Sequence, residues 1–331
     1  MAIRCAVGLD VGGTKIAGGL VAFPSGQVLA QRTLPTGACR GGEAVLEESL
    51  ALAAELMSAA QRQEAEMLGL GVAVAELVDA AGSVTSGQTI AWTGLPVRDR
   101  FSRLAPTVIE SDVRAAALAE ALFGAGREFK LFVYVTVGTG ISCCLVQEGR
   151  PLAGARGNAL VLASSPWSTL CPACGASVDL VLEEFASGPA LVTRYNAGGG
   201  GRRRRVLGEV LCPIRERENG PRGSARCAEE VLAAVEAGDP WAREVVRTAG
   251  EALGNSVGFL VNVLDPEAVI VGGGLGLAGG LYWDRVIAAT REHIWAGSSR
   301  GLPLLPAALG VDAGLIGAAA AAWRAQTTGE G

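Results

Sequence analysis

Apolar and small residues fill the opening 35 positions, interrupted only by short polar or glycine-containing turns. "CAVGLDVGG" and "IAGGLVAFP" read as two short buried strands around a glycine turn, and "QVLAQRTLPT" continues as a third, so a βββ meander opens the chain. From Gly42 to Arg62 apolar residues recur at three- and four-residue spacing, which predicts an amphipathic helix, and "MLGLGVAVAELV" returns to strand character. "PTVIESDVRAAALAEALFGAG" predicts a strand ending near Glu110, then an Ala-rich helix with Ser111 and Asp112 in its first turn. The order then recurs. "LFVYVTVGTGISCCLVQEGRPL" gives strand, glycine turn and strand, and "EAVIVGGGL" gives a strand entering a glycine loop. This is an internal duplication of a βββαβα unit. It predicts an α/β fold of two domains with an interdomain cleft, across which the glycine turns face one phosphate chain. The Gly, Arg and Pro content between residues 196 and 226 predicts a mobile excursion, after which helices resume at "AEEVLAAVEAGDPWAREVVRTAGEALGNSVGFLVNVLD".

Composition narrows the function classes. The chain has 331 residues, half of them hydrophobic, enough for one large or two ordinary domains with a sizeable core. Gly, Pro or charge cuts every apolar stretch before about 18 residues, so no membrane span is expected. The start lacks the layout of a secretory signal, which makes the cytoplasm the expected location. A net charge of −5 gives no general attraction to nucleic acid, and the run "GGGGRRRR" at 198–205 reads as solvated arginines on a glycine-rich loop. Cysteines at 5, 39, 143, 144, 171, 174, 212 and 227 lack the density of a disulfide scaffold and are expected to be reduced thiols. The single histidine, His293, is expected at a helix surface or core edge rather than in a site.

The candidate chemistry lies at strand ends. In "GLDVGGTK", Gly8 to Lys15, bare backbone at Gly12 and Gly13 allows N–H groups to approach phosphate oxygens, while Thr14 and Lys15 add a hydroxyl and a positive charge. Asp10 is suited to hold Mg²⁺ through water. Taken alone, the motif reads equally as a structural hairpin. "VTVGTGI" supplies a second turn at Gly138, Thr139 and Gly140, and "VGGGLG" a third at Gly272, Gly273 and Gly274. Neither fits the Walker pattern or the dinucleotide fingerprint. Three glycine turns, each after an apolar strand of a duplicated unit, point together to a nucleotide site.

Those stretches, with "EEFASGPAL", "NVLDPEAVIVGGGL" and "LGVDAGLIGAA", resemble the ROK family of sugar kinases and repressors within the actin-like ATPase (ribonuclease H-like) fold, over nearly the whole chain. The resemblance implies a smaller α/β domain of residues 1–112 plus 316–331 and a larger one of 113–315, with ATP, Mg²⁺ and a sugar as ligands and a homodimer as the assembly. It implies the kinase branch, because no reader helix precedes Asp10. On the residues alone Asp112 reads first as a helix cap. The resemblance instead makes Ser111-Asp112 the counterpart of the family's Asn-Asp pair, with Asp112 the general base for the 6-hydroxyl.

The chain departs from the family in its sugar-and-zinc segment. "GARGNALVLAS" keeps Gly157 and Asn158 as candidate sugar contacts but places Val161 at the family's Glu position, Ala163 at its Gly and Ser164 at its His. Cys171 and Cys174 survive without the third cysteine, where Val181 stands, so structural zinc is not expected. Glu183 occupies the place of a sugar-contacting Glu, and Glu76 replaces a Gly at the pocket's edge. The lost polar partners and the gained carboxylate predict a sugar carrying an ammonium in place of a hydroxyl, such as kanosamine, and so a likeness to kanosamine kinases. A glucokinase with a relaxed pocket and a catalytically silent sugar-sensing protein are the competing expectations.

Overall fold

The computed structural model describes residues 3–170, 177–198 and 224–328. Packing divides the chain into two units. The first holds the described residues of Met1–Tyr134, Cys143–Leu160 and Ala307–Gly331, and the second those of Val135–Ser142 and Val161–Pro306.

The first unit opens with β1 (Arg4–Val11), β2 (Lys15–Phe23) and β3 (Gln27–Pro35), the expected antiparallel meander. Helix α1 (Gly42–Arg62) has the predicted bounds and leads into β4 (Glu66–Val74). The short α2 (Val97–Ser102), β5 (Thr107–Ser111) and α3 (Asp112–Phe123) follow. The sheet order is β3-β2-β1-β4-β5, with β1, β4 and β5 mutually parallel.

The chain continues through β6 (Leu131–Val137), β7 (Ile141–Gln147) and β8 (Arg150–Pro151). Next come β9 (Pro166–Leu170), β10 (Ser177–Val181), α4 (Leu182–Ala186) and α5 (Gly188–Ala197). Then follow α6 (Ala228–Glu236), α7 (Pro240–Leu264), β11 (Ala268–Gly272), α8 (Gly280–His293), β12 (Leu304–Pro306) and α9 (Ala313–Thr328). The second sheet runs β12-β11-β6-β7-β8, so the two sheets share one strand order, as the duplicated pattern predicts.

Period-two alternation decides which helix covers which face of the first sheet. On β1, Cys5, Val7, Leu9 and Val11 join Leu70, Val72 and Val74 of β4 in a core with Val45, Leu46, Leu52 and Leu56 of α1. Full burial of each such aliphatic side chain contributes about 1.5–3 kcal/mol. The opposite face carries small residues. Ala6 and Ala17 pack with Leu315, Ile316 and Ala319 of α9. A Cβ on Gly8 would strike the Leu315 carbonyl, one on Gly71 the Ala318 carbonyl, and one on Gly317 the Ala115 carbonyl of α3. These three glycines let α9 lie directly on the sheet and on α3.

This seating corrects the expected boundary after Asp112. Helix α3 packs with α9 and the first sheet, so Leu118 and Ala119 share a core with Ala6 and Leu315, and α3 belongs to the first unit. The Gly/Arg-rich excursion falls outside the described residues from 199 to 223.

Candidate active site

Three carboxylates gather at the carboxyl ends of adjacent parallel strands, where open α/β sheets bind their ligands. In register, Asp10 of β1 pairs with Ala73 of β4, which pairs with Glu110 of β5, while Val74 pairs with Ser111. Asp112 therefore stands one residue past β5, and Glu76 two past β4. Asp10 emerges on the small-residue face, where its carboxylate lies against the Cα of Gly314 in the first turn of α9. Burial pushes its pKa up to about 6, opposed by the charge of Lys15. Asp112 is pushed further, to about 7, first by burial and then by the charge of Asp10, with Glu76 adding to the effect. The Val113 amide and Arg114 act the other way. An acid with this pKa is poised to exchange a proton near neutral pH.

The turn between β1 and β2 is braced from behind. The Gly12 amide donates to the Lys15 carbonyl at 3.0 Å. Buried Thr36 donates its hydroxyl to the Gly12 carbonyl at 2.5 Å and its amide to the Thr14 carbonyl at 3.0 Å. With carbonyls engaged, the Gly13 and Thr14 amides form no hydrogen bond to another described residue, and Thr14 and Lys15 are exposed. Successive amides without a backbone partner are one feature of an anion cradle.

At the start of α3, Asp112 Oδ1 accepts from the Val113 amide at 2.7 Å, while Oδ2 has no hydrogen-bond partner among the described residues. Ser111, 5% exposed, caps nothing, and its hydroxyl is buried without a partner. Sequence reasoning missed Arg114. Its buried guanidinium pairs with Glu110 and donates to the Gly157 carbonyl at 2.7 Å and the Val78 carbonyl at 2.8 Å. Gly157 has a φ of 78°, and a Cβ there would strike the Val78 carbonyl. Gly157 thus sits under Arg114, while Asn158 is exposed.

Glu76 requires a correction. Its carboxylate, expected beside the substrate, is 8% exposed and accepts from the Ser86 hydroxyl and from the amides of Gln88 at 3.2 Å, Thr89 at 2.5 Å and Ile90 at 2.7 Å. Four donors fill its acceptor sites, leaving none for a direct bond to a substrate ammonium.

The other two glycine turns meet in the second unit. The Gly138 amide donates to the Gly140 carbonyl at 2.9 Å, the Gly188 amide at the start of α5 donates to the Gly138 carbonyl at 2.9 Å, and Thr139 is exposed. Gly273, with φ 81°, lies where a Cβ would strike the backbone of Val137, and the Leu275 and Gly276 amides donate to the Val137 carbonyl. The loop Gly272–Gly274 is thereby tied to the end of β6. Glu183 braces the Gly138–Gly140 turn by accepting from the Ile141 amide at 2.7 Å. Val161 is 44% exposed and Ser164 donates to its carbonyl at 3.1 Å. Cys171 and Cys174 lie outside the described residues. His293 ends α8, its Nδ1 facing the Ala289 carbonyl at 3.0 Å. Among the described residues no cluster of three or more His, Cys, Asp or Glu is suited to a metal, and no helix is long and apolar enough to cross a membrane.

Comparison with known proteins fits this geometry. A model of the ROK family matches residues 6–325. The chain is 31% identical over 324 residues to the glucokinase of Streptomyces coelicolor, spanning 95% of this chain and 96% of the relative. It is 26% identical over 314 residues to the N-acetylmannosamine kinase of Shigella boydii, spanning 94% and 96%. A solved ROK family glucokinase from Streptomyces griseus, in complex with glucose and AMPPNP, superposes with a TM-score of 0.73 at 26% identity, spanning 96% of this chain and 98% of that one.

Proposed function

Because the chain belongs to the ROK family, we propose that it is a sugar kinase that transfers the γ-phosphoryl group of ATP to a hexose hydroxyl, with Asp112 as general base. The observation that carries this reading is the placement of half-buried Asp112, with a pKa of about 7 and a free Oδ2, at the same sheet end as the bare Gly12–Lys15 turn. Asp112 orients the acceptor hydroxyl and takes its proton as the new P–O bond forms. The amides of Gly13 and Thr14, with Lys15, are suited to hold phosphate oxygens, and the turns at Gly138–Gly140 and Gly272–Gly274 are the further candidates for contact with the nucleotide.

The donor set fits Mg²⁺ better than a caged metal. The Asp10 carboxylate is a hard oxygen donor with no hydrogen bond to another described residue, and no three-ligand cluster among the described residues competes with it. Asp10 would hold such an ion by one carboxylate, a role that suits a cation which retains much of its water. When bound it neutralises phosphate charge.

An amino hexose such as kanosamine is the second reading of the substrate. The charges of Asp10 and Glu76 both raise the proton affinity of Asp112, so the site has an excess of negative potential that favours an ammonium. The filled acceptor sites of Glu76 make this attraction long-range rather than a direct contact. Similarity to both a glucokinase and an N-acetylmannosamine kinase keeps neutral and amino-derived hexoses in view. A homodimer completes the proposal, to be read by light scattering.

The test is ADP release with ATP and Mg²⁺ over glucose, mannose, glucosamine, N-acetylglucosamine, N-acetylmannosamine and kanosamine. Turnover of at least one sugar, abolished in Asp112→Asn, supports the kinase. Sugar binding with no ADP released from any of them supports a silent sensor instead. Turnover of glucose at or above that of every amino sugar removes the kanosamine reading.

A further inference from the structure

Glu76 does more than fill a pocket edge. A buried carboxylate is costly unless hydrogen bonds replace its water. Here the replacement comes from one loop. Ser86 and Gln88 donate to Oε2, and Thr89 and Ile90 donate to Oε1. The amides of three successive residues thus wrap one carboxylate, in the manner of a backbone nest. The loop is also fastened on both sides of this contact. Upstream, the Leu77 amide donates to Ser86 Oγ at 2.8 Å and the Thr85 amide to the Leu77 carbonyl at 2.8 Å. Downstream, Ile90 and Trp92 are wholly buried, and Trp92 Nε1 donates to the Gly42 carbonyl at 2.9 Å.

What the loop touches gives the arrangement its consequence. Thr89 presses on the β1–β2 turn, so closely that a Cβ on Gly13 would lie 2.6 Å from Thr89 Cγ2. Glu76 therefore joins three things: the end of β4 beside Asp112, the loop 86–90, and the turn proposed to grip phosphate.

We propose that Glu76 is a positioning residue whose carboxylate locks the loop 86–90 against the Gly12–Lys15 turn and so sets the wall against which the sugar rests beside Asp112. The wall's use rests on the sugar-kinase reading; the lock does not. Glu76→Gln is nearly isosteric, but its amide keeps one acceptor oxygen and turns an NH₂ group toward two of the four donors.

Hydrogen exchange and steady-state kinetics on the full chain test the proposal. In Glu76→Gln the peptide covering residues 85–91 exchanges about tenfold faster while α1 and α7 keep their protection. The sugar KM rises by about tenfold with kcat within roughly threefold of wild type, the signature of a lost binding wall. A purely structural role would instead lower kcat with the folded fraction and leave KM unmoved. Ser86→Ala, which removes one donor and keeps the charge, gives a smaller rise in both readouts and decides the matter should Glu76→Gln fail to fold. Unchanged exchange across 85–91 in the folded variants overturns the lock, and an unmoved sugar KM overturns the wall. A wild-type protein that phosphorylates no sugar removes the kinase reading, and exchange alone then decides the lock.

Discussion

The carboxylate of Asp10 occupies the space that a side chain on Gly314 would need. A Cβ at Gly314 must displace the acid. Gly314→Ala is therefore expected to damage activity far more than folding. Alanine gains about 1 kcal/mol of helix propensity over glycine, which offsets part of an overpacking cost of about 1–3 kcal/mol. A shift of Asp10 by about 1 Å is enough to lower kcat/KM by about 100-fold. Gly317→Ala is the contrast, since its Cβ would meet the rigid Ala115 carbonyl and part α3 from α9. It should lose about 3 kcal/mol or more of stability. Kinetics and thermal melting of the two variants side by side check this, and a Gly314→Ala protein with wild-type kcat/KM would refute the first half.

Asp10 and Asp112, with pKa values of about 6 and about 7, place an acid limb in the pH profile. Below it Asp112 holds a proton and cannot accept another, so kcat/KM should fall as pH drops through that range and level off above it. Because the charge of Asp10 raises the proton affinity of Asp112, the acid limb reports the two groups as a coupled pair. A profile flat from pH 5.5 to 8 would remove Asp112 as the base.

Arg114 is expected to tune that limb and to carry stability. Its charge lowers the proton affinity of Asp112, so Arg114→Ala should move the acid limb to higher pH. The same change leaves the Glu110 carboxylate unpaired and frees the carbonyls of Val78 and Gly157, for a loss of about 3 kcal/mol in urea unfolding. Arg114→Lys keeps a charge but not the planar fork that reaches three acceptors, and should fall between wild type and Arg114→Ala. Equal stability for all three proteins would show that the clamp contributes nothing.

These residues also show what the sequence could disclose. Apolar periodicity made β1, β4 and α1 legible, and a lone acid ending an apolar strand beside glycines marked Asp10, whereas Asp112 reads as a helix cap on the residues alone and as a base only through the family resemblance. Arg114 left no such signal, because its acceptors Val78 and Gly157 lie 36 and 43 positions away. The donors to Glu76 sit 10 to 14 residues on, in a loop with no periodicity, so a carboxylate engaged with backbone reads in sequence like one free for substrate. Glycines are ambiguous in the same way. Gly8 and Gly71 seat a helix, Gly13 and Gly273 serve turns, and only three-dimensional packing separates the two uses.

Asp112→Asn should separate catalysis from stability. Loss of the base is expected to lower kcat by about 10²–10⁴-fold. Stability should move the opposite way at high pH. Between about pH 4 and pH 7 the folded chain keeps protons on Asp112 and Asp10 that the unfolded chain has released, so folding takes protons up and stability falls as pH rises through that window. Above about pH 7 the wild type bears the full cost of a buried charge, which asparagine does not carry. The variant should therefore melt above the wild type at pH 8, with the difference shrinking toward pH 4, where Asp112 is neutral in the folded chain. Melting curves of both proteins across that range check the prediction. A variant that melts below the wild type at pH 8 would mean that the Asp112 charge is stabilised where it stands, against the burial and the like charges that define this site.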